Sequence, residues 1–221
     1  MRGRVLVIAG SDSGGGAGIQ ADIKTITALD GFAMTAITAL TAQNTLGVFG
    51  VHPVPPDFVR QQIEVVARDI GADVVKIGML GDASVIETVS AALAEFLPGV
   101  PVVLDPVMVA KGGHQLLANE AVATLRSRLL PMAAVVTPNL PEAEVLAGAS
   151  IGSVPDMRAA ALGLLALGVP AVLLKGGHLP GETVVDLLAT AEGIEAFAAP
   201  RIETRHTHGT GCTTASAVAV G

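Results

Sequence analysis

The chain has 221 residues, 51% of them hydrophobic yet with only five Phe and neither Trp nor Tyr, and it carries a net charge of −7. With no Lys/Arg cluster to offset that charge, a nucleic-acid backbone or an anionic membrane surface is excluded as a partner. The single cysteine, Cys212, excludes an internal disulfide and a multi-cysteine zinc site, and it fits the reducing environment of the cytoplasm.

The length fits one large α/β domain over residues 1–221 better than two small ones. A core without large aromatics must be built from Ala, Val, Leu and Ile, as in parallel sheets covered by helices. In chain order, Val5–Ala9 reads as a first strand, reached directly from Met1–Arg4 without a secretory pattern. The loop Ser13-Gly-Gly-Gly-Ala-Gly18 leads into a helical pattern over Ile19–Leu29. Strand Thr35–Leu40 lies within Gly31–Pro56, an uncharged stretch too broken by polar residues, Gly and Pro to span a membrane. Helix Asp57–Ile70, strand Val74–Ile77, helix Ala83–Phe96 and strand Val102–Leu104 follow. Then come helix Asn119–Leu130, strand Ala134–Val136, helix Pro155–Leu167 and strand Ala171–Leu174. Thr183–Leu188 and Ile194–Ala198 read as a later pair of strands, antiparallel at one edge, and the tail after Gly211 as a last helix. Alternation of this kind implies right-handed βαβ crossovers and a three-layer α/β/α domain with a mostly parallel sheet.

The polar residues worth notice fall at the carboxyl ends of these strands, the edge where open α/β sheets bind ligands. They are Gly10-Ser-Asp12, Lys76-Ile-Gly-Met79, Asp105-Pro-Val-Met108, Thr137-Pro-Asn139 and Lys175-Gly-Gly-His178. Neither a G-x-G-x-x-G fingerprint nor the Gly-Lys-[Ser/Thr] of a P-loop occurs. The 13–18 loop can cradle a ligand with bare backbone or simply allow tight strand-to-helix packing. Asp105, before Pro106, is aimed off the sheet edge or caps the next turn. Asn139-Leu-Pro-Glu142 has the spacing of a capping box, and a carboxylate there can also hold Mg²⁺ through water. Lys175 reaches into the crevice or snorkels from a sheet edge. His206 and His208 lack a third ligand nearby and read as loop residues.

The most informative segment is His206–Gly221, where His208-Gly-Thr-Gly-Cys212 opens the last helix. A helix start leaves backbone N–H groups unpaired and carries partial positive charge, and two glycines let the chain curl around an anion. The same dipole is expected to lower the pKa of the thiol, so the segment suits acyl or phosphoryl chemistry.

Taken together, these residues resemble the hydroxymethylpyrimidine/phosphomethylpyrimidine kinases of thiamine biosynthesis, members of the ribokinase-like superfamily. The resemblance runs from Ala9 to the last residue. It is carried by Ala9–Asp22, Thr41-Ala-Gln-Asn-Thr45, Lys76–Met79, Asp105–Met108, Thr137–Glu142, Lys175–His178 and His208–Cys212. It implies transfer from ATP, with Mg²⁺, to the hydroxymethyl group of 4-amino-5-hydroxymethyl-2-methylpyrimidine, and then to the resulting monophosphate. On this sequence it implies that Gln43 bonds the aminopyrimidine, that Gly10, Ala17, Met79 and Val107 line the pocket, and that Asp12 stands at its rim. Asp105 and Glu142 are implied for Mg²⁺ and Lys175 for the transferring phosphate. Gly209, Thr210 and Gly211 are implied for the anion hole, with Asn139, Lys175 and Thr210 on the nucleotide. Cys212 is implied as the general base. The implied partners are the small pyrimidine and ATP, with the homodimer common in the family. Two rival readings are a pyridoxal kinase or dual-specificity enzyme on the same scaffold, and a non-catalytic module that senses thiamine precursors. Family members usually continue beyond the Cys212 helix, so the chain, ending at Gly221, is expected either to be a truncated piece or to have lost part of its adenine side.

Overall fold

A computed structural model of the chain describes residues 3–109, 116–117, 119–204 and 206–221. Among the described residues, nine strands form one sheet in the order β3-β2-β1-β4-β5-β6-β7-β8-β9. The strands are β1 (Arg4–Asp12), β2 (Phe32–Gln43), β3 (Val48–Pro53), β4 (Val74–Ile77), β5 (Val102–Leu104), β6 (Ala133–Val136), β7 (Ala171–Leu174), β8 (Thr183–Thr190) and β9 (Gly193–Pro200). Strands β2, β1, β4, β5, β6 and β7 pair in parallel in that order, while β3, β8 and β9 join antiparallel at the two edges.

The helices are α1 (Gly18–Ala28), α2 (Pro56–Asp69), α3 (Ala83–Phe96), α4 (Asn119–Thr124), α5 (Leu140–Ala147), α6 (Val154–Leu165) and α7 (Thr210–Val220). Local chemistry sets their limits: Asp82 and Ser153 cap α3 and α6 through their side chains, and Gly148 ends α5 in the left-handed conformation. Alternation along β1 divides the core. Val5, Val7 and Ala9 meet Ile19, Ile26, Ala215 and Ala219 of α1 and α7. Leu6 and Ile8 join the larger cluster with residues of α2, α3, α5 and α6. The sheet is therefore sandwiched between helix layers, with Ala, Val, Leu and Ile filling it as composition requires.

Two elements differ from the sequence expectation. Strand β3 went unread because most of it is exposed and its Val-Phe-Gly-Val-His-Pro lacks apolar alternation. The helix expected over Asn119–Leu130 breaks instead into α4, a π-helical turn at Leu125–Leu129 and a 3₁₀ turn at Leu130–Met132. Pro131 removes the backbone donor that would continue it. Among the described residues, no helix is long and apolar enough to cross a membrane.

The chain leaves β1 for β2 on one side and returns to β4 on the other. The crevice between β1 and β4 is thus the switch point of the sheet, where a ligand finds open strand ends.

Candidate active site

Parallel pairing carries the polar residues after β5, β6 and β7 into one group. The Asp105 N–H donates to Ile77 O at 2.9 Å, Thr137 N–H to Leu104 O at 2.9 Å and Lys175 N–H to Pro138 O at 2.9 Å. Beyond the ladder, Asp105 Oδ1 accepts from Thr137 Oγ1 at 3.1 Å and from Lys175 Nζ at 3.0 Å. Lys175 thus reaches into the crevice. The turn before α7 closes on this pair: a Cβ placed on Gly211 would stand 3.3 Å from Lys175 Nζ and 3.9 Å from Asp105 Oδ2. Gly209 holds a left-handed φ of +82°, and a Cβ there would fall 1.7 Å from Gly16 O. Only glycine fits so close an approach. No side chain caps α7, and Thr210 N–H donates to Thr207 O at 3.4 Å; the first turn stands beside Lys175 at Gly211.

Glu142 lies beside this group at the start of α5. The capping box forms in full: Glu142 N–H donates to Asn139 Oδ1 and Asn139 N–H to Glu142 Oε2, both at 2.9 Å. Burial first, then repulsion from Asp105, push the Glu142 carboxyl up to about 7, against the pull of Lys175 and the N–H groups of Asn139 and Met108. Two buried carboxylates that repel each other next to an anion-accepting turn would both gain from a divalent cation. Among the described residues, no three His, Cys, Asp or Glu side chains cluster as a metal cage.

At the ends of β1 and β4, Gly10 meets Met79, whose Sδ would lie 2.9 Å from a Cβ on Gly10. Gln43 ends β2, its backbone tied to the glycine loop: its N–H donates to Ser13 Oγ, which donates in turn to Gln43 O, each at 2.9 Å. Its side-chain amide lies 3.0 Å from Thr41 Oγ1. Ala17 closes the loop, and half-buried Val107 follows Asp105, its N–H donating to Asp105 O at 2.8 Å.

Asp12, expected near the pocket rim, is held by the glycine loop. Its carboxylate is buried and accepts from Gly14 N–H at 2.7 Å, Gly16 N–H at 3.1 Å, Ala17 N–H at 2.8 Å and His208 Nε2 at 2.8 Å. Burial works to raise this carboxyl, but the bonds from His208 and the three amides hold it below the ordinary value. Asp12 therefore organises the loop. His208, read as a loop residue, is its partner and bolts the anion turn to the glycine loop.

The family model described as phosphomethylpyrimidine kinase matches residues 12–221. The chain belongs to the phosphomethylpyrimidine kinase family. It is 52% identical over 217 residues to the hydroxymethylpyrimidine/phosphomethylpyrimidine kinase of Bacillus subtilis, covering 97% of this chain and 79% of that one. It is 55% identical over 218 residues to the thiamine biosynthesis bifunctional protein ThiED of Geobacter sulfurreducens, covering 99% of this chain but only 44% of that longer protein. Among solved structures, the pyridoxal kinase from Staphylococcus aureus in complex with AMP-PCP matches with a TM-score of 0.89 at 36% identity, covering 98% of this chain and 79% of that one. The fold is the ribokinase-like α/β fold shared by these kinases.

In this member of the phosphomethylpyrimidine kinase family, Cys212 is half-buried in the first turn of α7. The helix start was expected to lower its pKa; the net effect is the reverse. Burial pushes the thiol up, Lys76 pulls it down, and the charges of Asp105 and Asp22 add to the rise. Sequence reasoning named the Lys76–Met79 motif but missed the role of Lys76 itself, which is fully buried and paired with Asp22 at 3.0 Å. The available signal was a lysine inside an apolar strand, which needs a buried partner. Asp186 was missed as well. Its Oδ1 accepts from Gly176 N–H at 2.8 Å and holds the turn after Lys175, where a Cβ on Gly176 would fall 1.9 Å from Val185 O.

Proposed function

We propose that this phosphomethylpyrimidine kinase transfers the γ-phosphoryl group of ATP to the hydroxymethyl group of 4-amino-5-hydroxymethyl-2-methylpyrimidine, and then phosphorylates the monophosphate, in thiamine biosynthesis. The observation that carries the reading is the meeting of Asp105, Lys175 and Gly211 at the first turn of α7. Phosphoryl transfer asks mainly for positioning and charge neutralisation. Lys175 and the N–H groups of Gly209, Thr210 and Gly211 supply fixed positive charge for the transferring group in an otherwise acidic protein. Asp105 and Glu142 would hold Mg²⁺, which when bound neutralises phosphate charge. Asn139 and Thr210, with Lys175, flank the nucleotide. Gln43 offers an amide donor and acceptor to the ring nitrogen and amino group, and Gly10, Ala17, Met79 and Val107 form the pocket walls. Cys212, adjoining the anion turn, takes the proton of the substrate hydroxyl. The lone free cysteine suits a cytoplasmic enzyme.

The test is ATP-dependent phosphorylation of the pyrimidine and of its monophosphate, followed by mass, with pyridoxal as control. Absence of both products with intact protein would remove the reading. A second reading, pyridoxal phosphorylation, is favoured by the 0.89 TM-score to the Staphylococcus aureus pyridoxal kinase. Comparison of kcat/KM for the two alcohols decides between them. Pyrimidine binding without any ATP turnover would point instead to a precursor-sensing module.

A further inference from the structure

Lys76 is fully buried on β4, in a segment whose other residues are apolar. Its Nζ lies 3.0 Å from both Asp22 oxygens on α1, and Asp22 Oδ1 also accepts from Ser216 Oγ on α7 at 2.7 Å. Lys76, Asp22 and Ser216 are all fully buried. Three elements therefore meet at one ion pair. Such a pair is a poor source of stability, because well-packed apolar residues of the same volume often do as well or better. Its position offers another use. Ser216 follows Cys212 by four residues on α7, so the two side chains lie on one helix face, a turn apart. The pair that Ser216 touches thus lies beneath the sulfur. Gly18, at the start of α1, donates its backbone N–H to Cys212. It does so at a φ of +55°, where a Cβ would fall 2.4 Å from Gly10 O. The sulfur sits between two helix starts and a fixed ammonium.

We propose that Lys76 is a positioning residue for Cys212: its ammonium, aimed by Asp22 and Ser216, favours the thiolate form of the sulfur beside the Gly18 N–H against the burial that disfavours it. The assignment rests on the reading of Cys212 as the base. The groups facing the sulfur are Lys76 from β4, Asp22 and the Gly18 N–H from α1, and Asp105 from the end of β5, with Lys175 on the far side of Gly211. Burial, Asp105 and Asp22 all push the thiol up, and the Lys76 charge is the largest influence in the other direction. For Lys76 itself burial works against the charge, but Cys212, Asp22 and Asp105 overcome it and the lysine keeps its proton. In the reaction, the substrate oxygen bonds to phosphorus as the bond from phosphorus to the departing ADP oxygen breaks. The hydroxyl proton passes to the thiolate, and the resulting thiol later releases it to solvent, a release the Lys76 ammonium favours.

Cys212 is the only cysteine, so alkylation by iodoacetamide, followed by mass across pH, reads this sulfur alone. Lys76→Gln keeps a donor for Asp22 but loses the charge. It should move the alkylation midpoint up by about one pH unit or more, slowing alkylation below the midpoint about tenfold, and shift the kcat–pH profile the same way. Lys76→Arg, which retains the charge, should stay near the parent. An unchanged midpoint in Lys76→Gln overturns the assignment. Should that variant fail to fold, Asp22→Asn with Lys76→Gln buries no unpaired charge. Its midpoint should still rise, because Lys76 outweighs Asp22 at the sulfur, and an unchanged or lower midpoint overturns the assignment equally. A shifted midpoint together with full turnover by Cys212→Ala would leave the Lys76 coupling standing and remove the base reading alone.

Discussion

Cys212 and Glu142 are the two side chains whose protonation the proposed mechanism uses, and burial is the largest influence on both. A general base is worth about 10²-fold or more in rate. Cys212→Ala is therefore expected to lower kcat by about 10²-fold or more in steady-state assays, and near-normal turnover would end that assignment. Glu142 starts from an ordinary value of 4.5 and rises to about 7 in the fold. The folded state thus keeps a proton that the unfolded state has already released, so between pH 4.5 and about 7 the metal-free protein loses stability as pH rises. Glu142→Gln should flatten that part of a denaturation series. Mg²⁺ competes with the same proton. Its affinity, read by calorimetry, should weaken by up to about tenfold per unit below pH 7 and level off above it.

Loops joined across the fold act as one unit at the scale of elements. Asp12 gathers three amides of the glycine loop, and His208 brings the anion turn to the same carboxylate. Loosening this joint should disturb both ends of the crevice. His208→Ala is expected to raise KM for the pyrimidine and lower kcat, each by roughly tenfold, since small misplacements at a reacting centre cost factors of that size or more. His208→Gln, which still offers a donor, should recover part of the loss. Gly209→Ala meets both a left-handed φ and Gly16 O. It should lower kcat by about 10²-fold or more through displacement of the anion turn, with a lower melting temperature in the same preparation. His208 shows why such a joint escapes sequence reading: its partner is 196 residues away, and nothing in its neighbours marks it. The capping box of α5, by contrast, was legible because cap and glutamate are three residues apart.

For the molecule as a whole, the sandwiched sheet supplies stability, and the ends of its parallel strands carry the candidate site. Ile63 on α2 is fully buried in the larger core cluster. Ile63→Ala should cost about 2–5 kcal/mol, lowering the melting temperature by on the order of 10 °C for a domain of this size, while KM for the pyrimidine stays unchanged.

The sequence by itself determined the alternation of strands and helices, the parallel sheet and the strand-end positions of Asp105, Thr137 and Lys175. Those features follow from periodicity and from residues close in the chain. It also contained the motifs that place the chain in its family. Only the tertiary structure decided that Asp12 serves the loops, that His208 is its partner, and that Asp22, Lys76 and Ser216 converge beneath Cys212. Asp22 and Lys76 are 54 residues apart, and Asp22 and Ser216 are 194 apart. Closing such distances depends on packing α1 and α7 on one face of the sheet. The direction of the Cys212 shift was decided there too, because a helix start can be read from sequence while the depth of burial that outweighs it cannot.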